Sequence, residues 1–375
     1  MPAVASPAPP APRLLSLDAL RGFDMLWIVG ADALGGAFAR LHGGAPARFL
    51  AEQMEHVAWQ GFHFYDLIFP LFVFMVGAAV PLSLDKMVAT EGRGAALRRV
   101  LRRTLLLYLL GLFYYGGFGT PLTELRLLGV LQRLALCYGA ASLLYLHLRP
   151  GGLVTAAAML LVGYWALLTF VPVPGFGAGD FAEGHNLANW IDARFLPLRK
   201  WDGDHDPEGL LSTLPAVASC LLGVLASLWL KNARRSAAAR GWLLVGAGAA
   251  LLAIGQIWGL QFPVIKKLWT SSFVLVAGGW SAMLLGAFYL VIDVAQVRSW
   301  AWPFVWVGCN PLAIYLVSNI VDFGKLSERF AGGDIAAGLD ALWPGLGGLV
   351  LALVGAALSF AACRFLYQRK IFLRL

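Results

Sequence analysis

Charge is what this sequence has least of. Asp, Glu, Lys and Arg make up only 13% of its 375 residues, against roughly 25% in a soluble domain. So few charges cannot cover the water-facing surface of a chain this long, which excludes an ordinary soluble enzyme. Cysteine is scarce as well. Cys137, Cys220, Cys309 and Cys363 each stand alone in or beside an apolar run, so neither a disulfide framework nor a zinc site is indicated. A Walker loop, a Rossmann glycine signature and a supported Gly-x-Ser-x-Gly elbow are all missing. So is the internal repeat of an inverted-repeat transporter.

Apolar residues fill the space. They make up 59% of the chain, and the mean hydropathy is +0.71. Uniform runs of about 20 residues match the hydrocarbon core of a bilayer, whereas barrel strands would be about 10 residues long and would alternate. The expected fold class is all-α: a polytopic membrane protein with about ten transmembrane helices in one bundle. The spans read as 15–38, 66–85, 103–118, 127–148, 152–171, 209–230, 241–260, 270–293, 302–322 and 344–366. Residues 1–12 form a Pro/Ala tail expected to be disordered, and 13–375 a single transmembrane domain. Ala31-Asp32-Ala33 mimics a signal-peptide cleavage site, but Asp18, Arg21 and Asp24 do not suit the apolar region ahead of such a site.

The net charge of +8 does not point to nucleic acid, because the excess sits in short loops between spans. Arg98, Arg99, Arg102 and Arg103, with Lys231, Arg234, Arg235 and Arg240, mark one side as cytoplasmic. That orientation puts both termini in the cytoplasm, and the membrane is expected to be a bacterial-type inner (plasma) membrane crossed by multiple passes. It leaves the two longest loops, 39–65 and 172–208, outside. Loops of that length usually carry function.

The polar residues within the apolar background are the candidate site. Asp18, Arg21, Asp24 and Asp32 lie in the first span, where each charge costs about 2.5–3.5 kcal/mol near the bilayer centre. Asp18, Arg21 and Asp24 are three apart and can pair along one face, as a structural ion pair or a functional one. Asp32 lies near the outer end without a local basic partner. His56 and His63 precede the second span. Either imidazole can act as base, acid or nucleophile, or be plain loop surface. Trp59 fits an interfacial belt and Asp66 a helix-dipole partner, or both belong to the site. Gln132 and Arg133 interrupt the fourth span. Arg133 is too deep to snorkel, so it pairs with an aspartate of the first span or binds an anionic group. Asn310 reads as a cap or an interhelical hydrogen bond. The Arg98–Arg103 cluster can anchor anionic lipid or hold the phosphates of a nucleotide-bearing donor.

Six stretches, in order, resemble one family: LLSLDALRGFDMLWIV, EHVAWQGFHFYDLIFPLFVFMVGAAVPLSL, RLLGVLQRLALCYG, DHDPEGLLSTLPAVASCLLGVLAS, KKLWTSSFVLVAGG and VGCNPLAIYL. The family is that of heparan-α-glucosaminide N-acetyltransferase and its bacterial relatives. The resemblance implies a membrane acyltransferase that moves acetyl from cytoplasmic acetyl-CoA to an amine or hydroxyl of a sugar or glycan on the outer face. It matches the family's active-site His-x-x-Trp-x-Gly to His56, Trp59 and Gly61, with His56 as base or nucleophile. The family's asparagine late in the first span falls on Asp32. An ionised carboxylate cannot donate to a thioester oxygen, so here Asp32 would orient His56 or bind a cationic amine.

The expected site then has His56, Asp32 and Asp66 as catalytic residues. Arg133, Gln132, Arg21 and Asn310 face acetyl-CoA, while Trp59, His63, Asp206 and Glu208 face the acceptor. No metal is expected, the bilayer is a partner, and homodimerisation is left open. A transporter or flippase for a sugar- or lipid-linked molecule is the competing class, and a membrane scaffold the third.

Overall fold

The computed structural model describes residues 14–373, so the expected disordered tail 1–12 lies outside the described residues. Among the described residues there is no strand, only isolated bridges such as Gln60 to Ile265. The helices are α1 (Leu15–Arg40), α2 (Gly44–Gln53), α3 (Phe64–Glu91), α4 (Arg93–Tyr114), α5 (Val130–His147), α6 (Pro150–Phe170), α7 (Leu187–Phe195) and α8 (Thr213–Leu230). They continue as α9 (Ala237–Gly259), α10 (Ser271–Phe288), α11 (Trp302–Gly308), α12 (Pro311–Ile320), α13 (Phe323–Ala331), α14 (Asp334–Leu342) and α15 (Leu346–Gln368).

Every expected span coincides with a helix, but six of these helices are long and apolar enough to cross a membrane, or seven if a bent pair counts as one span. The pair is the stretch Ser299–Gly308 with α12, bent by 67°. Cys309 and Asn310 occupy the break, and Pro311, which opens α12, has no N–H for the helical ladder. The helices α1, α4 and α5 match expected spans but fall outside the apolar set, because α1 and α4 carry several charged side chains and α5 carries Arg133 beside Gln132 and ends on His147. Helix α4 begins ten residues before the expected 103–118, because its arginine-rich first turns are helical too. The loops 39–65 and 172–208 contain the short helices α2 and α7, which hydropathy alone does not reveal.

Burial sorts the spans into layers. About two-thirds of the apolar window of α3, α8 and α10 is buried, against 17% for α9 and α15. The first three form the centre, and the others present their sides to lipid. Helix α3 packs on α8, α10 on α9, α1 on α11, and α4 on α5. Without a hydrophobic driving force between helices in lipid, small residues that let backbones approach carry such packing. A Cβ on Gly77 would come within 1.9 Å of the Cys220 carbonyl oxygen, and one on Gly223 within 1.8 Å of the Phe74 oxygen. The α1–α11 crossing repeats the device with Gly22 and Gly308, each against the other helix's backbone.

Gly223→Val should therefore push α3 and α8 apart at a cost of about 1–3 kcal/mol or more, read as a lowered thermal unfolding temperature of the purified protein. An unchanged temperature would contradict the close crossing.

Candidate active site

The residues Tyr65, Ile68, Phe69, Phe72, Val76, Ala79 and Ser83 recur at helical spacing along one face of α3, and all line a cavity of about 630 Å³. From the first to the last, the helix rises about 27 Å, close to the roughly 30 Å of a bilayer core. The volume falls in the usual ~300–1,000 Å³ range of small-molecule sites.

The cavity has two chemically different ends. At the end where α3 finishes and α4 begins, Arg99, Arg103, Asp18 and Arg21 line it. Arg103 lies over the Tyr138 ring at 4.6 Å, and its buried Nε has no hydrogen-bond partner. Neither Arg99 nor Arg103 has an ion-pair partner among the described residues. The middle is apolar, with Met25, Ile28, Phe72, Leu107, Leu134 and Leu312. At the start of α3 the lining turns polar again, with His56, Tyr65, Glu208 and Lys266.

His56 is held from three sides. Its Nδ1 is 2.9 Å from Asp66 Oδ1, and its ring stacks on Tyr65 at 4.4 Å and 7°. Lys266 Nζ lies 2.9 Å from Nδ1 and 3.0 Å from Nε2. With Nδ1–H donated to the carboxylate, Nε2 keeps its lone pair and accepts from the Lys266 amine. A carboxylate that fixes the imidazole tautomer and can stabilise an imidazolium is the arrangement of an activated histidine base. Asp66 is fixed in turn by the backbone N–H groups of His63 (3.0 Å) and Val57 (3.3 Å), and it lies 3.4 Å from Lys266 Nζ. Burial pushes the Lys266 pKa down, against the pull of Asp66 and Glu208. The loop that carries Lys266 is pinned to the His56 loop by Gly61 N–H donating to the Val264 carbonyl at 2.9 Å.

The remaining expected residues are distributed unevenly. Asp32 is exposed and within hydrogen-bonding range of the Tyr65 side chain, so it meets His56 only through that stacked ring. Arg21 lines the cavity and pairs with Asp18 at 3.5 Å. Asp24 is buried, and neither of its carboxylate oxygens is hydrogen-bonded.

Arg133 pairs with no aspartate of α1. Its Nη2 donates to Ser212 Oγ at 2.5 Å and to the Gly209 carbonyl, and its guanidinium lies over Trp269. Gln132 donates to the Arg126 carbonyl at 3.2 Å. Neither Gln132 nor Arg133 lines the cavity. Asn310 donates to Ile371 O at 2.5 Å and accepts from Leu373 N–H at 2.9 Å, which draws Leu373 to the cavity's basic end. Trp59 Nε1 donates to the Phe181 carbonyl at 3.0 Å and ties the two longest loops together. His63 Nδ1 is 3.0 Å from the Glu55 carbonyl oxygen, outside the cavity. Asp206 is buried in an ion pair, whereas Glu208 reaches the lining.

Three side chains that the sequence reading did not single out hold this end together. Lys266 is one; it is half of the Lys-Lys pair that opens the KKLWTSSFVLVAGG stretch. Arg126 is the second. It donates to both Asp206 oxygens at 2.8 and 2.6 Å and to Glu208 Oε2 at 2.5 Å, and it lies between Tyr115 and Trp201 at 4.9 and 5.0 Å. Asp192 is the third. It accepts from the N–H of Leu210 at 2.8 Å and of Asp206 at 3.4 Å, and burial pushes its carboxyl up to about 6. Burial also raises the Glu208 carboxyl, against the attraction of Arg133 and Arg126.

These features define a multi-pass membrane protein with a charged-to-charged cavity along its central helix and a histidine–carboxylate pair at one end. Residues 13–122 match a domain of unknown function, DUF5009. The chain is 28% identical to the Homo sapiens heparan-α-glucosaminide N-acetyltransferase over 83% of its own length and 53% of that protein. It is 24% identical to the Mus musculus enzyme over 83% of its own length and 54% of the relative. The chain thus spans about half the length of the curated relatives it matches. The similarity carried by the six stretches holds along most of the chain: over 83% of its length it is similar to the heparan-α-glucosaminide N-acetyltransferases.

Removing the Arg126 guanidinium would strand two buried carboxylates. Arg126→Ala should cost about 3–5 kcal/mol, seen in thermal unfolding; a loss below 1 kcal/mol would show that water already reaches them. For Asp192, the folded chain holds a proton across the window between the free carboxyl, 3.8, and about 6. The unfolded chain has already released that proton there. Stability therefore falls as pH rises through that window. Wild type should lose up to about 3 kcal/mol relative to Asp192→Asn between the two limits. A pH-independent difference between the two proteins would contradict the shift.

Proposed function

We propose that this protein transfers an acetyl group from acetyl-CoA to the amino group of a sugar-type acceptor across a membrane. The observation that carries the reading is the single cavity that joins a basic end to His56. In this reading all ten helical spans cross the bilayer with both termini in the cytoplasm, which makes the arginine end cytoplasmic. Arg99, Arg103 and Arg21 meet the phosphates of the donor as point charges and forks. The apolar middle takes the pantetheine arm and keeps water from the thioester. Asp32, the acid in place of the family's asparagine, attracts a cationic amine towards Tyr65 and His56.

The ammonium first releases one proton to solvent, and His56 Nε2 then removes a second from the acceptor nitrogen as the free amine attacks the thioester carbonyl carbon. Asp66 stabilises the imidazolium that results. Lys266 faces the developing oxyanion as a cation. The C–S bond then breaks, the CoA thiolate leaves, and the imidazolium returns its proton to the sulfur. The Lys266 amine beside Nε2 supports this reading, because an amino nitrogen already fits against the base. The names of the relatives specify a glucosaminide amine, and an amino sugar is the corresponding acceptor class here.

Purified protein given labelled acetyl-CoA and a panel of amino sugars should acetylate at least one of them. His56→Ala should lower kcat by about 10²–10⁴ while still binding acetyl-CoA. The double variant Arg99→Gln/Arg103→Gln should raise the KM for acetyl-CoA by about tenfold or more, a loss of at least 1.4 kcal/mol, with a smaller effect on kcat. Absence of CoA binding and of transfer, or solute flux without acetylation, would overturn the acyltransferase reading. Full activity in His56→Ala would reject the base.

A further inference from the structure

Outside the cavity, His205 is the most tightly buried imidazole in the outer loops, only 4% exposed. Its Nδ1 is 2.6 Å from Asp204 Oδ1. With that hydrogen donated, Nε2 points its lone pair at two carboxylates, 3.5 Å from Glu183 Oε1 and 3.8 Å from Asp202 Oδ2. Both distances exceed the 2.7–3.2 Å of a normal N–H···O bond, and the buried Nε2 has no hydrogen-bond partner. Asp202 Oδ2 is likewise buried, and its short contact is to the Lys267 ammonium rather than to the imidazole. An acceptor lone pair facing two anions is repulsive unless a cation lies between them.

We propose that Glu183, Asp202 and His205 form a binding site for a divalent transition-metal ion of the zinc type. One ligand atom from each lies within 4.8 Å of the others. Ligands of a tetrahedral zinc with bonds of about 2.0–2.1 Å stand about 3.4 Å apart. The 3.5 and 3.8 Å separations are close to that edge length and too long for hydrogen bonds. The imidazole favours zinc-like ions over calcium or magnesium, which prefer all-oxygen sets. Asp204 on Nδ1 is the outer carboxylate that metal-bound histidines commonly have, and it fixes the metal-binding tautomer.

The cationic position has a resident competitor. Lys267 Nζ lies 2.9 Å from Glu183 Oε1 and 3.0 Å from Asp202 Oδ2. It satisfies the carboxylates but not the histidine. A metal ion would displace it and join the Glu183 loop to the Asp202–His205 turn directly. Lys267 adjoins Lys266 in the chain and lies 6.0 Å from the Trp59 ring centroid, so the exchange takes place beside the mouth of the cavity. This site does not depend on the acetyl-transfer reading.

The test uses full-length protein, purified through a tag without histidine and stripped with chelator. Zn²⁺ is titrated by equilibrium dialysis with elemental analysis, and Co²⁺ by its visible absorption. The expected result is one ion per chain in wild type, with a Co²⁺ spectrum of tetrahedral intensity. His205→Gln should weaken binding at least tenfold. Lys267→Met, which removes the competing ammonium without touching a ligand, should tighten it at least tenfold. Monodisperse elution of each variant shows that it is folded. Three results would overturn the proposal: no stoichiometric ion in wild type or Lys267→Met, binding that survives His205→Gln, or no tightening in Lys267→Met.

Discussion

Asp66 is the carboxylate on which the polar end of the molecule depends. It sits in the first turn of α3, where backbone N–H groups lack helical partners and the dipole favours an anion. It accepts from the N–H groups of His63 and Val57, holds the His56 ring through Nδ1, and faces the Lys266 ammonium. One helix terminus therefore orients a base, closes a loop and compensates a cation. The carboxylate can stay ionised beside an apolar helix because all four partners stabilise the charged form.

The rest of α3 is organised for the opposite purpose. Below Asp66 the helix is almost continuously apolar, and close glycine crossings pack it on α8. One face stays open along the cavity, from Tyr65 to Ser83. Under the proposed acyl transfer this apolar passage would shield a thioester, because water excluded from a site neither hydrolyses it nor weakens the electrostatics of the charged ends. The arginines at the far end are spaced at i and i+4 on α4, so Arg99 and Arg103 face the same side. The two longest loops cover the His56 end, held by Trp59 to Phe181 and by Arg126 to Asp206 and Glu208.

Much of this is legible in the sequence, for physical reasons. Bilayer thickness imposes the span length, so the helices register as apolar runs. The histidine at the mouth of α3 stands out because polar chemistry there is costly. Asp66 beside His56 is visible as a near neighbour in the chain. What stays hidden depends on distant parts of the chain meeting. Lys266 reaches His56 across 210 positions and Arg126 reaches Asp206 across 80, and neither has a local pattern. Arg133 shows the limit of depth as evidence. It is buried as the sequence implies, but its Nη2 pairs with Ser212 and Gly209 and its face with Trp269 rather than with an aspartate of α1, and its buried Nε and Nη1 have no hydrogen bond. Asn310 sits at a proline break, where its amide holds the chain near Leu373 instead of bridging two spans.

The central claim is that one cavity connects a donor on the arginine side with an acceptor on the histidine side. Proteoliposomes of known orientation test it most directly, with labelled acetyl-CoA confined to the arginine face and an amino sugar confined to the His56 face. The account predicts acetylated sugar on the His56 face, none when the two substrates are exchanged between faces, and none with His56→Ala. Acetylation only when both substrates share one face would contradict it.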